Sequence, residues 1–298
     1  MQTGKRDFLT LLDFSPEELN GIVQRAKVMK KDPAGSRTLM GKTAVLIFQL
    51  NSTRTRVAFD AGMSQLGGHA VVLSPQDSQL GRGEPIEDMA RVLAEMVDIV
   101  VIRTSEQQLL ESFATASSVP VINAMSSRYH PCQLLADIQT FEELRGPISD
   151  RTVAFVGDGY NMCHSYINAA RQWGFHLKIA TPEDYRPDPD ILASTNNAQL
   201  VESAREAVEQ ADLVVTDVWS SMGHEGEETD RIASFSPFQV NESLLDHAGT
   251  EALFMHCLPA HRGEEVSENL LEDPSSAVYQ EAGNRLHSQK ALLEFMLS

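Results

Sequence analysis

Hydroxyl residues and arginines gathered where a strand turns into a helix can grip a phosphate, and Ser52-Thr53-Arg54-Thr55-Arg56 is such a gathering. It follows the β-branched run at 43–48 and opens a helix-like stretch. Side-chain hydroxyls, backbone N–H groups and the helix dipole converge at such a turn, and a guanidinium adds paired donors. A capped surface helix with solvated arginines is the plain structural reading of the same letters. Arg103 ends a second apolar run, at 98–104, on what would be the carboxyl edge of the same sheet, where open α/β proteins bind ligands. Together they form a clamp for a small phosphorylated molecule. No GxxxxGK[ST] occurs, so a nucleoside triphosphate is not the expected ligand.

Three further segments carry polar groups at element ends. His130-Pro131-Cys132-Gln133 starts a long helix-like stretch, and His130 and Gln133 are placed to hydrogen-bond a carbonyl oxygen on which negative charge develops; a helix-capping histidine is the simpler reading. Asp217 ends one apolar run and His256-Cys257-Leu258-Pro259 ends another. Asp217 suits an ammonium group, Ser221 and nearby N–H groups suit a carboxylate, and Cys257 is a thiolate or hydrogen-bond partner, so an amino acid fits the set. Alternatively, Asp217 is a turn residue and Cys257 a small apolar filler. Gly157-Asp158-Gly159 follows a strand-like run as a dinucleotide fingerprint does, and Glu183 and Asp184 lie near the ribose-binding distance, but Met162 stands at the third glycine. Asn161 then offers an amide at a helix start.

The elements that must position these residues follow one beat. Apolar strand candidates at 43–48, 69–74, 98–104, 119–124, 152–157, 176–181, 212–219 and 252–259 alternate with helical stretches. Such alternation implies two doubly wound parallel sheets in an α/β fold. The boundaries expected are 1–132 for one domain and 148–283 for the other, joined by the helix that ends at Gly146-Pro147, with a C-terminal helix at 285–298 packing back on the first. Within 221–235 lies an acidic, glycine-containing stretch expected to be a functional loop. Ser15-Pro16-Glu17-Glu18 begins a first helix, with Ser15 as cap and Pro16 in the first turn.

Composition narrows the classes. Among 298 residues, 42 acidic against 24 basic side chains give a net charge of −18, which opposes nonspecific nucleic-acid binding and leaves anion binding to local basic clusters. No apolar run approaches the roughly 20 residues a membrane span needs, and the N-terminal residues carry no signal-peptide core, so a cytoplasmic protein is expected. The three cysteines, Cys132, Cys163 and Cys257, are widely spaced, and neither a disulfide framework nor a metal site is expected.

Taken in order, these segments resemble the aspartate and ornithine carbamoyltransferase family over nearly the whole chain. STRTR at Ser52, SQLG at Ser78, IRT at Ile102 and HPCQ at His130 resemble its carbamoyl phosphate half; DGYNM, DVWSSMG and HCLP resemble its ornithine-specific members; EAGNR resembles the segment that returns an arginine to the phosphate. The resemblance implies that Ser52, Thr53, Arg54, Thr55, Arg103 and Arg285 hold phosphate, that His130 and Gln133 meet the carbamoyl group, and that Gln79 reaches a neighbouring subunit's site. It implies that Asn161, Asp217, Ser221 and Met222 hold ornithine, and that Cys257 and Leu258 line the reacting centre. Carbamoyl phosphate and L-ornithine are the implied substrates, with no cofactor, in a homotrimer or a multiple of trimers. Aspartate or putrescine as acceptor, an NAD-dependent dehydrogenase, and a catalytically silent carbamoyl phosphate binder are the alternatives. Two departures stand out: Gln49-Leu50-Asn51 where many members carry an acidic residue and a lysine, and Tyr160 where an asparagine is common.

Overall fold

The computed structural model describes residues 4–32, 37–74, 83–220 and 228–298. It divides into two compact units: residues 1–139 with 283–298, and residues 140–282. The divisions fall inside two helices, α5 (Pro131–Arg145) and α11 (Val278–Leu297).

In the first unit, β1 (Thr43–Phe48), β2 (His69–Leu73), β3 (Ile99–Arg103) and β4 (Val121–Met125) form a parallel sheet in the order β2-β1-β3-β4. The β-branched residues of β1 and β3, in the middle of the sheet, are buried on both faces, as a helix-covered parallel sheet requires, while the edge strand β2 is half-buried or exposed. Val45, Ile47, Val100, Ile102 and Val121 pack one face against α3 (Ile86–Ala94) and α4 (Gln107–Ala116), chiefly at Met89, Leu110 and Phe113. Each such side chain contributes about 1.5–3 kcal/mol by burial. In α1 (Pro16–Lys31), Ser15 accepts from Glu18 N at 3.3 Å and Glu18 returns a bond to Ser15 N, a reciprocal cap. At Gly62, α2 (Arg54–Gln65) comes close to α11, and an added Cβ would lie 3.2 Å from Lys290. Arg25 of α1 pairs with Glu294 of α11 at 2.6 Å.

The second unit repeats the plan. Strands β5 (Thr152–Val156), β6 (His176–Ala180), β7 (Ala198–Leu200), β8 (Leu213–Thr216) and β9 (Leu253–His256) lie parallel in the order β7-β6-β5-β8-β9. Ala154, Val156, Val214 and Phe254 meet α8 (Ala204–Val208) at Ala204, Ala207 and Val208. The helix α6 (Asn161–Trp173) is buried along most of its length, with Tyr166 against Phe155 at 5.8 Å, and stops at Gly174, whose φ of 73° favours glycine. Short helices α7 (Pro189–Leu192), α9 (Glu228–Phe235) and α10 (Glu242–Leu245) complete the unit.

Two doubly wound parallel sheets are as expected, and every expected strand is present within a few residues. The exception is β7, which was not expected: three half-buried or exposed residues on a sheet edge carry no apolar run. The stretch expected as one loop at 221–235 ends in a helix from Glu228.

Candidate active site

In each unit the chain leaves its first strand, winds to one side, and returns to the other. Ligands of such sheets bind outside the carboxyl ends of the two strands where the winding reverses. In the first unit those strands are β1 and β3, paired with Phe48 opposite Arg103. In the second they are β5 and β8, paired with Val156 opposite Thr216. Most of the sequence-predicted residues that the structure describes sit at or beside these two points.

At the first reversal, Gln49 N donates to Arg103 O at 2.9 Å, extending the pairing by one residue before the chain turns through Asn51, Ser52 and Thr53 into α2. Thr53 occupies the cap position and its side chain makes no capping bond, so the capped-surface-helix reading fails at that atom. Arg54 is half-buried, and Thr55 is buried with its hydroxyl accepting from the Arg285 guanidinium of α11. His130 and Gln133 lie one turn apart at the start of α5 and are 4% and 0% exposed.

Burial holds the His130 pKa well below the ordinary histidine value, and the positive charges of Arg285, Arg103 and Arg54 push it the same way. The charges of three guanidinium groups thus act on one neutral imidazole. Such a cluster attracts a polyanion and presents fixed donors to it. Gln133 Nε2 donates to Asp137 Oδ1 at 2.8 Å, which commits one of its N–H groups. Cys132 is a packing residue: its thiol donates to Asn123 O at 3.3 Å, and burial pushes its pKa up to about 12.

Around the second reversal the chemistry is acidic. Asp217 follows β8 and accepts from Val218 N at 2.8 Å and from the Cys257 thiol at 3.1 Å. Burial raises its pKa, and the hydrogen bonds from the Cys257 thiol and Val218 N work against that. The turn-residue reading of Asp217 is therefore half right, but the thiol contact makes Cys257 more than filler. His256 and Glu265 are 1% and 0% exposed and pair at 3.1 Å. Leu258 N donates to His256 Nδ1 at 2.8 Å, so the ring proton sits on Nε2 and points at Glu265. This fixes the turn after β9 that carries Cys257 and Leu258.

Asn161 begins α6 and is 5% exposed. Three residues earlier, Asp158 pairs with Arg231 of α9, whose Nε also donates to Trp219 O at 2.5 Å. Arg231 lies over the rings of Tyr185 and Phe235 at 4.5 and 5.2 Å. Burial pushes Asp158 up to about 7 despite that partner.

The dinucleotide alternative fails on space. A Cβ at Gly159 would lie 2.4 Å from Tyr185 O and Pro187 N, and Gly159 N donates to Tyr185 O at 2.9 Å. Backbone of 185–187 covers the face of the turn where a pyrophosphate would have to rest.

Gln79, Ser221 and Met222 lie outside the described residues. Sequence reasoning missed His256, Glu265, Asp158 and Arg231 as site residues. His256 was signalled by its place beside Cys257; Arg231 sits in an acid-rich stretch and reads as a surface residue. Among the described residues, Asp217, His256 and Cys257 form a group whose donor atoms are close enough for a metal ion, and so do His261, Glu264 and Glu265. No helix among them is long and apolar enough to cross a membrane.

A parallel α/β chain with an arginine cluster in one unit and a carboxylate–thiol pair in the other has the parts of a group-transfer enzyme that uses a phosphorylated donor. Comparison with known proteins is specific. Residues 6–143 match the carbamoyl-P binding domain, and residues 149–296 the Asp/Orn binding domain, of aspartate/ornithine carbamoyltransferase. The chain is 56% identical to the ornithine carbamoyltransferase of Chromohalobacter salexigens, over 98% of this chain and 97% of that one. It is equally identical to that of Halorhodospira halophila, over 98% and 99%. Solved ornithine carbamoyltransferases from Burkholderia thailandensis (47% identity, TM-score 0.90, 98% of each chain) and Pyrococcus furiosus (44%, 0.92, 98% and 97%) share the fold. The chain belongs to the aspartate/ornithine carbamoyltransferase family.

Proposed function

We propose that this enzyme transfers the carbamoyl group of carbamoyl phosphate to the side-chain amine of L-ornithine, forming L-citrulline and phosphate in arginine metabolism. The carrying observation is the cluster of Arg54, Arg103 and Arg285 around a neutral His130 at the β1/β3 strand ends. Ser52, Thr53, Arg54, Thr55, Arg103 and Arg285 hold the phosphate; His130 and Gln133 orient the carbamoyl group. Gln79 comes from a neighbouring subunit of a homotrimer. Asn161, Asp217, Ser221 and Met222 hold ornithine, and Cys257 and Leu258 line the reacting carbon. The enzyme works in the cytoplasm without a cofactor.

Ornithine's side-chain amine resembles that of lysine, with a pKa of about 10.4, so its reactive neutral form is scarce near pH 7. Holding both substrates in line offsets that scarcity by making the attack effectively unimolecular. The neutral nitrogen forms a bond to the carbamoyl carbon, and the arginines and His130 stabilise the negative charge on the tetrahedral intermediate. The carbon–oxygen bond to phosphate then breaks, and the departing phosphate accepts the amine's proton. Asp217, linked to the Cys257 thiol, steers the amine end of the acceptor.

The test is product formation from carbamoyl phosphate with ornithine, putrescine or aspartate. Citrulline from ornithine, with little product from the other two, is expected. Putrescine lacks the carboxylate that Asn161 is placed to read, and equal use of putrescine would refute the acceptor assignment.

A further inference from the structure

We infer that Asp137 is a positioning residue that makes the donor site select an amide, by locking the Gln133 side chain with its oxygen toward the ligand. The inference rests on the proposed role of Gln133 at the carbamoyl group. Gln133 and Asp137 are 0% and 1% exposed, stand four residues apart on α5, and are joined by Gln133 Nε2 donating to Asp137 Oδ1 at 2.8 Å. Carboxylate oxygens accept hydrogen bonds and a primary amide has one donating and one accepting end, so the carboxylate fixes which end of Gln133 is which. Its nitrogen is held along the helix by Asp137, so the oxygen is the end with which Gln133 would meet an NH2 group of the donor. A carbonyl oxygen carries two lone pairs and suits an NH2 group.

Carbamoyl phosphate differs from anionic acyl-like phosphates by that NH2. A ligand with a carboxylate oxygen in the same place would set two acceptors against each other in a buried site, where an unmatched polar pair is costly. Without Asp137 the Gln133 amide can turn over and offer N–H instead, and the selection is lost.

Two stable analogues isolate this contact: phosphonoacetamide, with NH2, and phosphonoacetate, with O⁻ in its place. Their dissociation constants are measured by calorimetry, with inorganic phosphate as a check that the arginine site is intact. The wild-type protein should prefer the amide, and Asp137→Asn, nearly isosteric, should cut that preference about tenfold while phosphate binding stays within about twofold. Asp137→Ser carries the same measurement if the asparagine variant does not fold. Gln133→Met should also cut the preference, and adding Asp137→Asn to it should change nothing more. An unchanged preference in Asp137→Asn overturns the inference, as does an equal effect of Asp137→Asn on the Gln133→Met background, which would mean that charge acts without the amide. A wild-type protein that binds neither analogue overturns the proposed function itself.

Discussion

The strand-end reversals of the two units share an architecture and carry opposite charges. At β1/β3 the charges of three arginines act on a histidine that burial and those charges keep neutral. At β5/β8 the buried groups include two carboxylates, Asp158 and Asp217, both with raised pKa values. The sheets are parallel in both, and the winding reverses in both, so the backbone does not choose the ligand. The chemistry comes from the residue that ends or follows each strand: Arg103 at the end of β3, Asp217 just after β8. Fold here supplies the address and side chains supply the function.

Removing a cation from the first reversal should have the largest effect. Arg54 is half-buried and lies in the first turn of α2, so Arg54→Ala removes charge without opening the core. We expect carbamoyl transfer to fall about 10²- to 10³-fold in kcat/KM, as loss of one preorganised donor does, with little change in melting temperature. Steady-state kinetics beside a thermal melt check both halves. Retention of most activity would mean that the arginine cluster is not the donor site.

At the second reversal, Asp217→Asn keeps shape and removes the charge that receives the Cys257 thiol. The expected result is a loss of about tenfold to 10²-fold in kcat/KM for ornithine, with carbamoyl phosphate affinity unchanged. Equal losses for both substrates would dissolve the contrast between the two reversals.

The contrast was only partly legible in the sequence. The strands were plain because each is an unbroken β-branched run, and the placement of Ser52–Arg56, Arg103, Asn161, Asp217 and Cys257 at element ends followed from those runs. What could not be read was who partners whom across distance. Glu265 meets His256 because the turn after Leu258 folds back on β9, and nothing in the spacing of nine residues announces it. Arg231 is buried because Trp219, Tyr185 and Phe235 enclose it, whereas its acidic neighbours in sequence suggest a solvated helix. For Gln133, the residue type showed that an amide was present, but not that its nitrogen is bonded to Asp137. Element ends are local facts; the orientation of polar groups on them is a tertiary one.

The smallest effect concerns Asp158 and bears on the charge of the second reversal. Burial pushes this carboxyl up to about 7, with Asp217 adding to the rise and Arg231 opposing it. A carboxyl whose folded pKa exceeds its unfolded value of about 3.9 binds its proton more tightly in the native state. The stability this contributes is fully present below pH 4 and is lost as pH rises through 7. Between pH 5.5 and 8.0 the unfolded chain is already ionised at this position while the native protein releases the proton, so the wild type should lose about 2 kcal/mol from this group alone. Asp158→Asn cannot titrate. Breaking the Arg231 pair gives the variant a fixed offset in stability, but its stability relative to wild type should improve by that amount across the same interval. Urea denaturation of both proteins at the two pH values measures the difference. If the gap between them stays constant, Asp158 is ionised throughout as an ordinary partner of Arg231, and the second reversal carries one more negative charge near pH 6 than proposed.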